Sequence, residues 1–527
     1  MNSKISLKEN YFYVLLFLFA SAYALFLTEK IPFFWEDINY FNEDFWQNTP
    51  YYGKNKTHSS FYNDAIKTIV NKEGFYSIGY SGLNERPLTT FFWRYAELFL
   101  GHNLFMYRFI KSIFFGIIAI VVAITSMQFL SKSMTLLLVL TYITMPQLWY
   151  AIFANADEAM FMHILTLSAL FIYFYKYQSA SNTFKLFLYG LLIFVLARLS
   201  ILFKHEGRIL YVGIFVYTLI KNYKELFYFK NYFLIFVLFL ISFPILGLFG
   251  GSTLMDFDKA KLGGNNEAEW IEFFFGLMYP LMIIGPLFLL FLASLFYFLL
   301  NHKSLNKEDS NLFIFLFLFF IIELGITFFA HGFKITIQDF GRVTFIFFTA
   351  IYLLLVFLCL DRTRKLLIGK NAKIFTFILY TFIFYLIFNN IYLVNQIRGA
   401  WGDYVIGFND IKDEIDAKHN NSIIFVESIL TTTPIALSKN VIQPYDLVAN
   451  GLRINDFVKA KLNKYDSVFL VTRTELSTKS GEITLVIKQK ANDISLYGYI
   501  KKIFRRSSNQ YFYLYMINKE NIKNTSR

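Results

Sequence analysis

The chain has 527 residues, of which 56% are hydrophobic and only 17% charged; Phe alone contributes 66, and the mean hydropathy is +0.45. Soluble domains carry about 25% charge, so the composition excludes an ordinary soluble protein and points to a bilayer. A net charge of +13 would suit nucleic acid, but many of the cations sit in short loops between apolar runs, where membrane topology explains them, and no nucleic-acid partner is expected. Anionic lipid headgroups or a phosphorylated substrate would suit the same cations. The single cysteine, Cys359, lies in an apolar run, which excludes an intramolecular disulfide and CxxC metal chemistry.

A bilayer core needs about 20 apolar residues per helix. Eleven runs qualify or nearly so: 11–28, 108–130, 134–153, 159–175, 186–202, 209–220, 232–249, 273–300, 312–330, 343–360 and 374–395. The first has no small-x-small cleavage site leading into a soluble chain, so it reads as an uncleaved anchor. Loop charge orients the set. Segments on the N-terminal side hold 15 Lys and Arg in 58 residues, while the short loops opposite hold 6 in 47. Cations favour the cytoplasm. A multi-pass protein of the inner or plasma membrane is expected, with a cytoplasmic N-terminus and an extracytoplasmic C-terminus.

Two outer segments are too long to be connectors. The first, about 29–107, mixes polar turns with amphipathic pieces such as LTTFFWRYAELFL, which suit the membrane interface. The second, 396–527, has a net charge of +6. There DYVIGFNDIKDEIDAK and RINDFVKAKLNKY read as helices. SIIFVES, DSVFLVTRT, EITLVIKQK and YFYLYMIN read as strands. The expected organisation is a transmembrane module over 1–395 followed by a small soluble α/β domain over 396–527.

The outer face collects the unusual chemistry. Glu36 and Asp37 follow the first span within WEDINYF, and Arg86 lies in NERPLTTFFW. Arg108 opens the second span. Asp157 and Glu158 occupy the tight turn NADEAM between spans three and four, where they also suit helix capping. Lys204, His205 and Arg208 lie in FKHEGR, and Lys334 and Arg342 in HGFKITIQDFGR. Any one of these charges is explained as well by anchoring at the interface. Together they bring acid pairs and basic clusters to one membrane face, an arrangement that suits a carboxylate base beside a phosphate-bearing ligand held by Arg and Lys. Glu323, inside span nine, orders the bundle or lines a substrate path. No GxxxxGK[ST], HExxH or GxSxG motif occurs.

The order of these features runs from span one through an outer acid, a long outer loop, RPL and YRF before span two, and an acidic turn after span three to a Lys/Glu loop after span five. Over roughly residues 11–220 it resembles the GT-C superfamily of membrane glycosyltransferases, and within it the protein O-mannosyltransferases and lipid A aminoarabinose transferases. The resemblance implies a GT-C-like α-helical polytopic bundle. It also implies inverting transfer, on the extracytoplasmic face, from a polyprenyl-phosphate sugar donor to a cell-envelope acceptor: lipid A, O-antigen, another glycan or a protein. Asp37 matches the place of the general base, with Glu36 the other candidate, because EDINYF departs from the family's DExxRY-like spelling. Asp157 and Glu158 match the family's acidic turn; Arg86 and Lys204 fall where phosphate contacts are expected. No metal is expected to be obligatory, although Asp37, Asp157 and Glu158 would suit a divalent cation such as Mg²⁺ or Mn²⁺. An oligosaccharide ligase or polymerase, or a lipid-linked glycan transporter without chemistry, would use similar charges. Transporters place key charges mid-span and show inverted repeats; here Glu323 alone lies mid-span and no repeat is found.

Overall fold

The computed structural model describes residues 7–28, 92, 104–146, 148, 157–203, 213–214, 216–217, 284–300, 309–321, 345–427, 440–445, 464–472, 475–476, 483–491 and 510–518. The chain divides into two compact units, Met1–Phe26 with Glu73–Val394 and Leu27–Lys72 with Asn395–Arg527. Among the described residues, the first unit is helical: α1 (Leu7–Thr28), α2 (Leu104–Ser126), α3 (Lys132–Ile143), α4 (Asp157–Phe171), α5 (Thr183–Phe203), α6 (Leu287–Leu300), α7 (Asp309–Ile321), α8 (Phe345–Leu366) and α9 (Gly369–Lys418), the last running on into the second unit. Stretches of α2, α4, α5 and α9 are long and apolar enough to cross a membrane; stretches of α1, α3, α6 and α7 are apolar but shorter. This is a membrane protein.

Helix α8 forms the centre of its unit. Every residue from Ala350 to Asp361 is buried. A helix apolar on all sides is stable only when other helices surround it. The outer helices show the complementary pattern, with Leu15 and Phe19 of α1, Phe187 and Leu191 of α5, and Phe377 and Phe388 of α9 all exposed. In water such a surface would aggregate; in acyl chains it costs nothing.

Close approach decides two positions. A Cβ on Gly116 of α2 would lie 2.2 Å from Ser21 Oγ and 2.7 Å from the Phe17 ring, so α1 seats against α2 only because Gly116 has no side chain. A Cβ on Gly213 would meet the Phe319 ring at 2.2 Å.

Four boundaries differ from the sequence reading. Helix α3 ends at Ile143, because Pro146 follows and the residue before a proline disfavours helix. The last turn of the fourth span widens into a π-helical segment, Ile172–Tyr177. It buries Tyr173 and Tyr177, and Tyr173 packs on Tyr217 and Phe315. The described part of span eight is broken at Gly285, which adopts φ +49°, with Pro286 after it, so α6 begins only at Leu287. Finally α9 is unbroken for 50 residues, so the expected separate helix at DYVIGFNDIKDEIDAK is its continuation.

At one end of the bundle, the last turn of α8 is a polar knot. Asp361 is fully buried and accepts from Arg364 at 2.8 Å, Lys365 at 2.6 Å and Arg362 at 3.4 Å. Arg362 also pairs with Asp309 of α7 at 2.5 Å, and Arg364 reaches Tyr380 of α9 and Ser131 before α3. Nearby in chain, Lys132 stacks over Phe12 of α1 at 5.0 Å.

In the second unit, five strands form one mixed sheet in the order β2–β1–β3–β5–β4, with β1 (Ser422–Glu427), β2 (Val441–Tyr445), β3 (Ser467–Thr472), β4 (Ile483–Ala491) and β5 (Gln510–Ile517). Strands β2, β1 and β3 are parallel; β5 and β4 are antiparallel. Strand β2 was not foreseen. Its Pro444 argues against a central strand, and the structure puts it at the sheet edge, where a missing N–H is tolerated. One face buries Ile423, Phe425, Val468, Leu470, Tyr513 and Tyr515. On the β4–β5 surface, Lys488 lies over the Tyr511 and Tyr513 rings and bonds Glu475, which also accepts from Tyr513. Burial pulls the Lys488 ammonium down, but the Glu475 carboxylate outweighs it and holds the group above the usual lysine value. Burial and Glu475 together push Tyr513 up.

Candidate active site

Four of the charged clusters read from the sequence lie close in chain to members of one aromatic cluster. Phe161 of α4 sits at its centre. It meets Phe92 at 4.6 Å, Phe114 of α2 at 4.7 Å and Phe203 of α5 at 4.5 Å, and Phe92 also packs edge-on against Phe114 at 5.6 Å. Edge-to-face and offset ring pairs add about 0.5–1.5 kcal/mol each beyond the area they bury. The cluster is therefore a firm junction between three helices and the segment that carries Phe92.

Each ring is a short walk from a sequence-predicted site residue. Asp157 begins α4, four positions before Phe161, which puts its backbone about one turn (~6 Å) along the same helix face. Glu158 is the next residue. Lys204 and His205 follow Phe203 directly in the chain. Arg86 precedes Phe92 by six residues, a reach of at most about 20 Å. Arg108 lies in α2, six positions before Phe114; it is half-buried, and its carbonyl accepts from Ser112 Oγ at 2.9 Å. The side chains of Asp157 and Glu158 lie outside the described residues, as do Glu36, Asp37, Arg86, Lys204, His205, Arg208, Glu323, Lys334 and Arg342 altogether.

Deeper in the same helices lies a buried polar layer that the sequence reading passed over. His163, fully buried on α4, meets the Tyr142 hydroxyl of α3 through Nε2 at 2.7 Å, with the two rings stacked. Its Nδ1 is buried without a partner among the described residues. Thr166 of α4 and Ser200 of α5 share a hydrogen bond of 2.8 Å. Lys111 of α2, one turn beyond Arg108, is 2% exposed. A single polar residue in an apolar run is the available signal for such positions: Lys111 in RFIKSIFF and His163 in FMHILTL both carry it. Among the described residues no three His, Cys, Asp or Glu side chains gather as metal ligands would.

No protein-family model matches the chain, and no curated protein does. A solved structure matches it almost end to end: ArnT from Cupriavidus metallidurans, bound to undecaprenyl phosphate, with a TM-score of 0.54 over 95% of this chain and 98% of that one, at 10% identity. This chain shares that fold. The expected polytopic helical architecture accords with this match, and the likeness spans the chain well beyond residues 11–220. At this identity the likeness is one of fold, so the roles of particular residues rest on their own chemistry.

Proposed function

We propose that the chain is an inverting membrane glycosyltransferase that moves a sugar from a polyprenyl-phosphate donor to a cell-envelope acceptor on the extracytoplasmic face. The observation that carries this reading is the aromatic junction: within a fold shared with a protein caught holding undecaprenyl phosphate, it ties together the chain segments that bear Arg86, Arg108, Asp157, Glu158, Lys204 and His205. Acids and bases gathered beside a bilayer are what this reaction needs.

In the proposed step an acceptor hydroxyl attacks the anomeric carbon of the donor sugar. A carboxylate takes the hydroxyl proton as the new C–O bond forms, for which we assign Asp37, with Glu36 as the other candidate. The bond from the sugar to the phosphate oxygen breaks on the opposite side. The electron pair leaves on polyprenyl phosphate, whose growing charge is held by cations; Arg86, Lys204, His205 and Arg208 are assigned to it, with Lys334 and Arg342 at its margin. Asp157 and Glu158 hold sugar hydroxyls or the cations themselves. The sequence offers an acid and phosphate-binding cations of its own, so no step is routed through a metal. The acceptor class is left as glycan, glycolipid or protein.

The test is donor binding by the purified chain. Polyprenyl phosphate should bind wild type saturably, and Lys204→Gln or Arg86→Gln should weaken it by about tenfold, the worth of one charge-assisted hydrogen bond. Equal binding by wild type and both variants would remove these residues from the donor site; no binding by wild type would remove the donor class.

A further inference from the structure

We infer that the chain carries a second lipid site, separate from the candidate active site: a groove along α9 that takes one anionic glycerophospholipid, its phosphate at the Lys373–Tyr380 end. The groove has a volume of about 600 Å³ and is lined by Ala372, Lys373, Thr376, Phe377, Tyr380, Thr381 and Phe384. Those from Lys373 onward fall at i, i+3, i+4, i+7, i+8 and i+11, one stripe of the helix, with Ala372 at its edge.

The stripe is mixed: Lys373 stands at one end, Thr376, Tyr380 and Thr381 add hydroxyls, and Phe377 and Phe384, 73% and 49% exposed, supply apolar surface, with Phe384 at the other end. From Lys373 to Phe384 the helix rises about 16 Å, close to half of a ~30 Å hydrocarbon core. A groove of that length matches the acyl chain of one leaflet with its headgroup at the end of the helix.

Charge selects the headgroup. Around this end stand Arg362, Arg364, Lys365, Lys370 and Lys373, while Asp309 and Asp361 are the acids paired with them. The acids satisfy Arg362, Arg364 and Lys365 in the knot. Lys370 and Lys373 are exposed and make no ion pair among the described residues, so the surplus positive charge lies beside the groove. Tyr380 adds direction. Its hydroxyl oxygen accepts from Arg364 Nη1 at 3.2 Å, which leaves its own hydrogen to donate, and no acceptor for it stands among the described residues. A phosphate seated there would accept from Tyr380 and from Lys373. A zwitterionic headgroup would bring its own cation against Lys370 and Lys373, so an anionic lipid is favoured.

The site is tested by native mass spectrometry on protein taken from nanodiscs of phosphatidylcholine doped with phosphatidylglycerol. Wild type should retain one phosphatidylglycerol per chain against the phosphatidylcholine excess. Lys373→Gln, a change at an exposed position that leaves the fold alone, should cut that retention by about tenfold, the factor carried by one charge-assisted hydrogen bond; Tyr380→Phe should act in the same direction. Lys185→Gln, at an exposed cation on α5 that does not line the groove, should leave it unchanged. Retention equal in wild type and Lys373→Gln, or lost equally in Lys185→Gln, would overturn the proposal, as would equal retention of phosphatidylcholine.

Discussion

Asp361→Asn isolates the polar knot that closes one end of the helical unit. Asparagine keeps the shape and leaves one oxygen to accept, but removes the charge that three cations share at 2.6–3.4 Å. Breaking a buried ion pair by removing one partner costs about 3–5 kcal/mol. Here the cations are 15%, 20% and 47% exposed and can recover water, so the low end applies, about 2–3 kcal/mol once the retained amide bond is counted. The helical unit spans roughly 350 residues. At about 2.1 cal/mol/K per residue, each kcal/mol moves its midpoint by about 1.4 °C. The expected drop is about 3–4 °C, a floor for a protein that keeps helix in detergent when it unfolds. The assay is built in: Cys359, the one cysteine, is buried on α8 two residues before Asp361, so a thiol-reactive dye reports the opening of this spot. Arg364→Gln should behave similarly, and the double variant should lose less than the sum, because both remove one interaction. An unchanged midpoint in Asp361→Asn, or strict additivity in the double variant, would refute the reasoning.

Three further outcomes follow from other parts of the structure. Gly116→Val places atoms inside Ser21 and Phe17 and should destabilise by about 1–3 kcal/mol, read with the same dye; an unshifted midpoint would show that α1 does not seat there. Tyr142→Phe leaves His163 buried with neither nitrogen bonded among the described residues and should cost about 1–3 kcal/mol, whereas adding His163→Phe should recover much of it; a double variant no better than the single would contradict this. In the sheet, folded Lys488 and Tyr513 hold their protons above their ordinary values, so their contribution is full below about pH 10 and is lost as pH rises through the higher folded values. Thermal unfolding should weaken above about pH 10, and Glu475→Gln should flatten that dependence; an identical slope in the variant would contradict it.

Much of the helical layout was legible because apolar runs long enough for a bilayer are rare for any other reason. The errors came where backbone chemistry overrides hydropathy. The third span is interrupted just before Pro146 and the eighth is broken at Gly285–Pro286, both visible as residues but not as breaks within a continuous apolar run. The polar residues after Asn395 were read as a new helix, since nothing in hydropathy says that α9 continues through them. Alternation revealed four strands; five-residue β2 hid behind its proline. The DRTRK cations lie just past the apolar run 343–360, yet they belong to the end of α8, and two of their partners, Asp309 and Tyr380, lie 53 and 16 residues away in chain. For the candidate site, the sequence supplied the charged residues in order. It did not supply the four phenylalanines that tie their segments together, because in a chain with 66 phenylalanines no single one stands out.

The central claim is a chemical one, that an outer carboxylate and a polyprenyl-phosphate donor add one sugar to the cell envelope. Mass spectrometry of envelope lipids and glycans tests it most directly, in a deletion strain complemented with wild type or with Asp37→Asn at equal expression. The account predicts that one envelope species loses a single sugar mass in the deletion, regains it with wild type and does not regain it with Asp37→Asn. Full restoration by Asp37→Asn would contradict the assignment of the base, and an envelope unchanged by the deletion would contradict the proposed transfer itself.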